Sequence, residues 1–297
     1  MSVARRQCTL ARPATVTGFG YFSGRDVQVE FWPAAENAGI TFVRHDIGAA
    51  ARIPARVALR VDAPRRTNLE CGGARVEMVE HVLAALAGLR VDNCEVWVDA
   101  PEMPGCDGSS QAFVEAIDAA GIVEQRSSVR QIVVGTTVRV GDADRWIEAQ
   151  PPRGAGLSIT FDLDFGADTA IGRQTYAIDL TPNSFRRELA SCRTFILNEV
   201  AQGMLAEGRG QRVTPRDLLI FGPHGPIDNS LRFHDECVRH KLLDVAGDLA
   251  LTGCEVIGHV VGFRSGHQLH AELAKRLLEQ AGMSDQRYDG IAERRAA

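Results

Sequence analysis

Two stretches of the chain repeat one pattern, and that repetition limits the architectures open to it. His81-Val-Leu-Ala-Ala-Leu-Ala-Gly-Leu89 is followed by Cys94-Glu-Val96, and Lys241-Leu-Leu-Asp-Val-Ala-Gly-Asp-Leu249 is followed by Cys254-Glu-Val256. Each reads as a helix with an apolar face, a glycine turn and a strand. In both halves short alternating runs come first and the helix–strand–helix passage later. Such a chain is expected to be α+β, with two similar domains (residues 1–127 and 128–297). Each domain is a β-sheet with helices on one face, and the two pack helix layer to helix layer. Chance likeness of two amphipathic helices is the competing explanation.

Period-2 runs bounded by turn formers predict strands at 7–11, 14–32 (broken at a glycine turn), 40–44, 55–61, 67–70 and 93–99. A helix is expected over 74–89, its buried face carrying Val76, Val79, Val82, Leu83, Leu86 and Leu89. Another runs to 120 with Ser109 or Ser110 as N-cap. In the second half, strands are expected at 130–134, 137–140, 145–149, 157–165 and 175–180. A helix opens at Thr181-Pro182. Loops follow over 198–228 around one short element at 217–221, then a helix within 229–250, a strand at 255–263 and a helix at 268–281. Residues 284–297 are polar and expected to fray.

Composition excludes several functions. With 33 basic and 38 acidic residues the net charge is −5, and no Lys/Arg run exists to grip nucleic acid. No stretch approaches 18 uninterrupted apolar residues, so no integral membrane segment is expected, and the N-terminus lacks the apolar core of a signal peptide. Seven cysteines, an odd number without a CxxC pair, suit free thiols in a cytoplasmic protein. A monomer is expected.

The second of the repeated helices carries chemistry. Val238, Leu242, Val245 and Leu249 form one apolar stripe, and His240, Asp244 and Asp248 form a polar stripe at every fourth residue. An imidazole and a carboxylate at i and i+4 lie roughly 6 Å apart at Cβ, close enough to share a metal ion. The stripe alone is equally compatible with a solvated face or an ion pair between His240 and Asp244. Glu80-His81 opens the first helix as a possible base beside a ligand. Arg264-Ser-Gly-His267 presents a histidine at a strand's end, and Arg193-Thr194-Phe195 sets a hydroxyl after a helix. Only two of the basic residues are lysine, and one of them, Lys241, adjoins His240.

Taken together, these pieces resemble the zinc-dependent UDP-3-O-acyl-N-acetylglucosamine deacetylases of bacterial lipid A synthesis. The matching pieces run in order along nearly the whole chain: Gly18-Phe-Gly-Tyr-Phe-Ser-Gly24, Val79-Glu-His81, Ala100-Pro-Glu-Met-Pro104 with Asp107-Gly-Ser109, Arg193-Thr-Phe195, Glu236-Cys-Val-Arg-His-Lys-Leu-Leu-Asp244-Val-Ala-Gly-Asp248, and Ser265-Gly-His267. The resemblance implies a duplicated fold and one catalytic Zn2+, with Fe2+ also tolerated, held by His81, His240 and Asp244 with a fourth position for water. It implies Glu80 as the base that takes the water proton during attack on the acetamide. Thr194 and a protonated His267 then bear the oxyanion, and His267 protonates the leaving nitrogen while Asp248 keeps it cationic. Lys241 meets the substrate's polar head or the developing charge. Phe195, in the same motif as Thr194, is expected to bind substrate, and Phe165, Arg145 and Arg264 align with the family's uridine-diphosphate end.

Three departures bear on the substrate. Phe22 stands where the family usually has a histidine, and Glu77-Met-Val79 replaces a Ser-Thr-Val-like run. Residues 203–216 lack the apolar, glycine-paired run of the acyl-chain passage, and Glu207, Arg209 and Arg212 would be costly along a lipid tunnel unless they point outward. Zinc-dependent removal of the N-acetyl group is therefore expected with more force than the particular acyl substrate. The alternatives are a related deacetylase acting on a differently acylated or non-acylated UDP-amino sugar, and a zinc-binding homologue without turnover.

Overall fold

The computed structural model, which describes residues 4–48 and 50–283, holds two sheets of one strand order facing each other through helices. The expectation for residues 284–297 lies outside the described residues. In the N-terminal unit, β1 (Arg6–Leu10), β2 (Ala14–Phe19), β3 (Asp26–Pro33), β4 (Ile40–Arg44), β5 (Arg52–Pro54), β6 (Arg60–Val61), β7 (Asn68–Cys71) and β8 (Ala74–Val76) lead to helix α1 (Glu80–Gly88). After it come β9 (Cys94–Val98), helix α2 (Gln111–Ala120) and β10 (Ile122–Ser128). The main sheet is ordered β2-β3-β9-β4-β5, with β4 and β9 parallel.

The C-terminal unit opens with β11 (Gln131–Val133), β12 (Val138–Gly141), β13 (Trp146–Gln150), β14 (Leu157–Asp164) and β15 (Arg173–Asp179). A short α3 (Pro182–Ser184), β16 (Phe195–Leu197), α4 (Asn198–Ala206), β17 (Leu219–Gly222) and β18 (Gly225–Pro226) follow. Helix α5 (Glu236–Leu249), β19 (Glu255–Phe263) and helix α6 (His267–Gln280) complete it. Its main sheet is ordered β12-β13-β19-β14-β15 with β14 and β19 parallel, the N-terminal order repeated, and β11 also pairs with β19. The duplication expected from the helix echo is thus written in the strand order as well.

Strand alternation builds the cores. Val27, Val29 and Phe31 of β3, Val96 and Val98 of β9, and Ile159, Phe161 and Leu163 of β14 all point to the buried face. Helices α1 and α5 pack on one another between the sheets, and this is why they are buried nearly all round, polar residues included. Gly247 lets them approach: a Cβ there would lie 2.2 Å from the Glu80 carbonyl oxygen. Thr181 caps α3 through a capping box with Ser184, as its Thr-Pro start predicts.

Several local readings are corrected. The helix expected over 74–89 begins only at Glu80. Residues 74–76 form β8, paired with β7 across Gly72-Gly73, whose φ values of 57° and 79° are those of a two-residue hairpin turn. Val76 and Val79 matched a helical period by coincidence, and Met78, at φ 61°, breaks the chain between strand and helix. Likewise, of the expected strand 55–61 only Arg60–Val61 is strand, and Val57–Leu59 form a 3-10 turn. The glycine-rich stretch 198–228 contains α4, β17 and β18 rather than loops around one element. Strands β10 and β16 were not anticipated; β10 pairs with β1 and β16 with β17. Ser110 does not cap α2 with its side chain: its Oγ donates to the His81 carbonyl (2.9 Å), tying α2 to the start of α1.

Candidate active site

His240 and Asp244 stand one turn apart on α5, and His81 approaches them from α1, so the close crossing at Gly247 assembles the trio from both units. All three are at most 5% exposed. Asp244 Oδ1 lies 3.3 Å from His240 Nε2 and 3.9 Å from His81 Nε2, and the imidazoles meet edge-on with centroids 5.0 Å apart. Two donors about 2.1 Å from a tetrahedral ion are roughly 3.4 Å apart, so this spacing suits a shared metal. Among the described residues the buried Asp244 Oδ1 and His81 Nδ1 have no hydrogen-bond partner, a costly condition that a cation at the trio would relieve for the carboxylate. His240 Nδ1 lies 3.0 Å from the Cys192 carbonyl, which fixes a neutral tautomer with Nε2 as the lone-pair donor. Burial, reinforced by His240, pushes His81 down to about 3, so it too is neutral. Burial alone would raise the Asp244 carboxyl, but Lys241, His240 and His267 outweigh it and hold it below the carboxylate range. Lys241 Nζ donates to Asp244 Oδ2 at 2.5 Å.

Beside this trio are a carboxyl and a histidine that are both shifted upward, which favours the neutral form of the first and the charged form of the second. Burial pushes Glu80 up to about 7, partly offset by the charge of His267. Burial opposes the His267 cation, yet Asp248 and Asp244 raise it to about 9. Groups separated in this direction suit a base and an acid working at the same pH. Asp248 holds His267 directly, with Oδ2 2.7 Å from His267 Nδ1. The same oxygen lies 2.8 Å from Nδ1 of His270, whose Nε2 meets Ser265 Oγ at 3.1 Å. Asp248, His267 and His270 are also close enough to be considered for a metal, but separations of 2.7 and 2.8 Å are those of charge-assisted hydrogen bonds. Sequence reasoning missed His270 and Thr67, which donates to Asp248. The His-x-x-His spacing of 267 and 270 was a visible signal for the first, whereas a lone threonine gave none.

One cavity of about 1000 Å³ contains nearly all of this. Glu80, His81, Thr194, Phe195, His240, Lys241, Asp244 and His267 line it, while Asp248 stands behind His267 without lining the wall. Phe165, Arg145 and Arg264 also line it, the two arginines exposed and Phe165 against Phe195 at 5.6 Å between centroids. Phe195 in turn packs edge-on against His240. Thr194 is held by its own amide, which donates to the Gly108 carbonyl at 2.7 Å. Arg193 beside it makes a buried ion pair with Glu236, anchoring the segment that enters α5.

The acyl-passage expectation is partly corrected. An apolar wall does exist: Ile196, Leu197, Val200, Ala201 and Ile220 form it together with Met204, Leu205 and Val213 from within 203–216. Neither Glu207 nor Arg212 is part of it. Glu207 pairs with Arg209, and Arg212 pairs with Asp26 at 2.6 Å and lies over the Phe19 ring. Arg209 does reach the lining. Phe22 faces the cavity with the Arg66 guanidinium 3.8 Å above its ring, and its turn is pinned by Glu102, which accepts from the Phe22 and Ser23 amides. No helix among the described residues is long and apolar enough to cross a membrane.

Comparison with known proteins gives concordant matches. The sequence profile of the UDP-3-O-acyl N-acetylglycosamine deacetylases matches residues 7–279. The chain is 39% identical over 277 residues to the UDP-3-O-acyl-N-acetylglucosamine deacetylase of Anaeromyxobacter sp. (strain Fw109-5), covering 93% of this chain and 90% of the relative. It is 37% identical over 274 residues to the enzyme of the same name from Brucella ovis (strain ATCC 25840 / 63/290 / NCTC 10512), covering 92% and 95%.

Proposed function

The chain belongs to the UDP-3-O-acyl N-acetylglycosamine deacetylase family, and from that premise we propose that it hydrolyses the N-acetyl group of a UDP-linked, 3-O-acylated glucosamine. Acetate and the free amine are the products, in the service of lipid A biosynthesis. The observation that carries this reading is the meeting, at one place in the cavity, of two neutral histidines and an ionised aspartate with a carboxyl raised to about 7 and a histidine raised to about 9.

His81, His240 and Asp244 would hold the metal, zinc by family resemblance, with iron also suited to such donors. When bound, the ion supplies Lewis acidity and brings the pKa of a water toward about 7. Glu80 takes the proton of the attacking water, for which burial has tuned it. Thr194 Oγ and cationic His267 receive the charge that develops on the carbonyl oxygen. As the C–N bond breaks, His267 delivers its proton to the glucosamine nitrogen, and Asp248 steadies the imidazolium until then. Lys241 sets the charge and position of Asp244 and faces the substrate. Phe165, Arg145 and Arg264 receive the uridine diphosphate, the arginines matching its phosphates. The wall from Ile196 to Met204 receives the acyl chain, and this favours an acylated substrate over a non-acylated one.

Metal analysis and an acetate-release assay test the reading. His240→Ala is expected to lose the ion. Glu80→Gln is expected to keep it and lose turnover by about 10²–10⁴-fold. Full activity in Glu80→Gln would refute the assigned chemistry, and faster turnover of the non-acylated UDP-sugar would refute the substrate.

A further inference from the structure

Thr67 is fully buried in the N-terminal unit, just before β7 begins at Asn68. It lies outside that strand's ladder, so its backbone groups are free for other partners. Its amide donates to Glu80 Oε2 at 2.9 Å, and its carbonyl accepts from the Val79 amide at 3.1 Å. The residue is therefore fixed to the first turn of α1 from both sides. Its hydroxyl points the other way, across the junction between the units, and donates to Asp248 Oδ1 at 2.6 Å. That carboxylate's other oxygen takes Nδ1 of His267 at 2.7 Å and of His270 at 2.8 Å. One side chain and its own amide thus touch the carboxyl assigned as base and the carboxylate that orients the histidine assigned as acid.

We propose that Thr67 is the positioning residue that sets the base and the acid at a fixed separation across the junction of the two units. This rests on the roles proposed above for Glu80 and His267. Glu80 and Asp248 belong to helices of different units, and side chains on separate elements keep a working geometry only if something spans them. The Gly247–Glu80 backbone contact brings the helices together. The hydroxyl of Thr67 fixes the angle at which Asp248, and through it His267, faces the carboxyl that takes the water proton. The hydroxyl also completes a set of three donors around a buried carboxylate, which would otherwise keep a bare lone pair. With Ser265 Oγ at its far nitrogen, His270 is the matching support on the C-terminal side: Thr67 and His270 hold Asp248 from behind, and His267 is the donor to Asp248 that faces the cavity.

Thr67→Val keeps shape and backbone and removes the donor. Its kcat should fall about 10- to 100-fold, the usual size for loss of a supporting hydrogen bond at a metal site, while KM and metal content stay at the wild-type level. Thr67→Ser restores the hydroxyl and should recover most of the rate. In a cycle with Asp248→Asn, the double variant should be no slower than Asp248→Asn alone, because both changes break one connection. Wild-type kcat in Thr67→Val, additive losses in the cycle, or a Thr67→Ser as slow as Thr67→Val would each overturn the proposal. If Thr67→Val does not fold, Thr67→Cys, of similar size and a weak donor, takes its place with the same expectations. Failure here is distinguishable from failure of the reading beneath it. In the first case the wild type releases acetate, Glu80→Gln is dead and only Thr67 proves indifferent; in the second Glu80→Gln retains full activity.

Discussion

At the residue scale, His267 is decisive for the proposed chemistry, because a residue in the acid's role must differ in charge before and after proton delivery. Asp248 and Asp244 raise it to about 9 against the opposing effect of burial. A group that works protonated is competent below its pKa, so the rate should fall as pH rises through about 9. Glu80, raised to about 7, works deprotonated and sets the opposite limb. A bell-shaped kcat/KM between those limits is expected. His267→Gln should lose the upper limb together with about 10²–10⁴-fold in rate; an upper limb that survives the substitution would assign it elsewhere. The sequence made His240, Asp244, His81 and His267 legible because each sits in a motif of fixed spacing. Thr67 and His270 were not legible, since a hydroxyl 181 positions away from its carboxylate acquires meaning only when the chain has folded.

The elements show where periodicity misleads. A run of valines over 74–82 satisfied the helical period, yet the Gly72-Gly73 turn made its first part a strand. The turn chemistry was present in the sequence and should have outranked the apolar spacing. Glycine density likewise hid α4, because Gly203 sits inside it with open space where its side chain would be. Gly247 is the opposite case. Alanine there gains roughly 1 kcal/mol in helix propensity but places a Cβ 2.2 Å from the Glu80 carbonyl, and overpacking of that kind costs about 1–3 kcal/mol. Gly247→Ala should therefore be destabilised in urea denaturation and bind metal less tightly, as α1 and α5 are pushed apart. Unchanged stability with unchanged affinity would mean that the crossing is not set by this contact.

On the scale of the whole molecule, the matching strand orders place the proposed metal donors on both sides of one seam. Binding an ion there should stabilise the junction, not only the site. At 100 times its dissociation constant a ligand adds about 2.7 kcal/mol, so chelation should lower the calorimetric midpoint by several degrees. Equal midpoints with and without chelator would argue against a shared ion. The two-unit plan was readable from the helix echo, because duplicated helices keep their apolar faces. The three-stranded sheets that precede α1 and α5 differ: β6-β7-β8 is antiparallel throughout, whereas β16 runs parallel to β17 with α4 between them, so the echo offered no template for β16, α4, β17 and β18. The repeated strand order also has a consequence for direction. Two bodies built alike and facing each other through equivalent helices would, with equivalent side chains, greet a ligand identically from either end. Here α1 contributes Glu80 and His81, whereas α5 contributes His240, Asp244 and Asp248. The seam has a front and a back, and an elongated molecule lying in it can be read in only one sense.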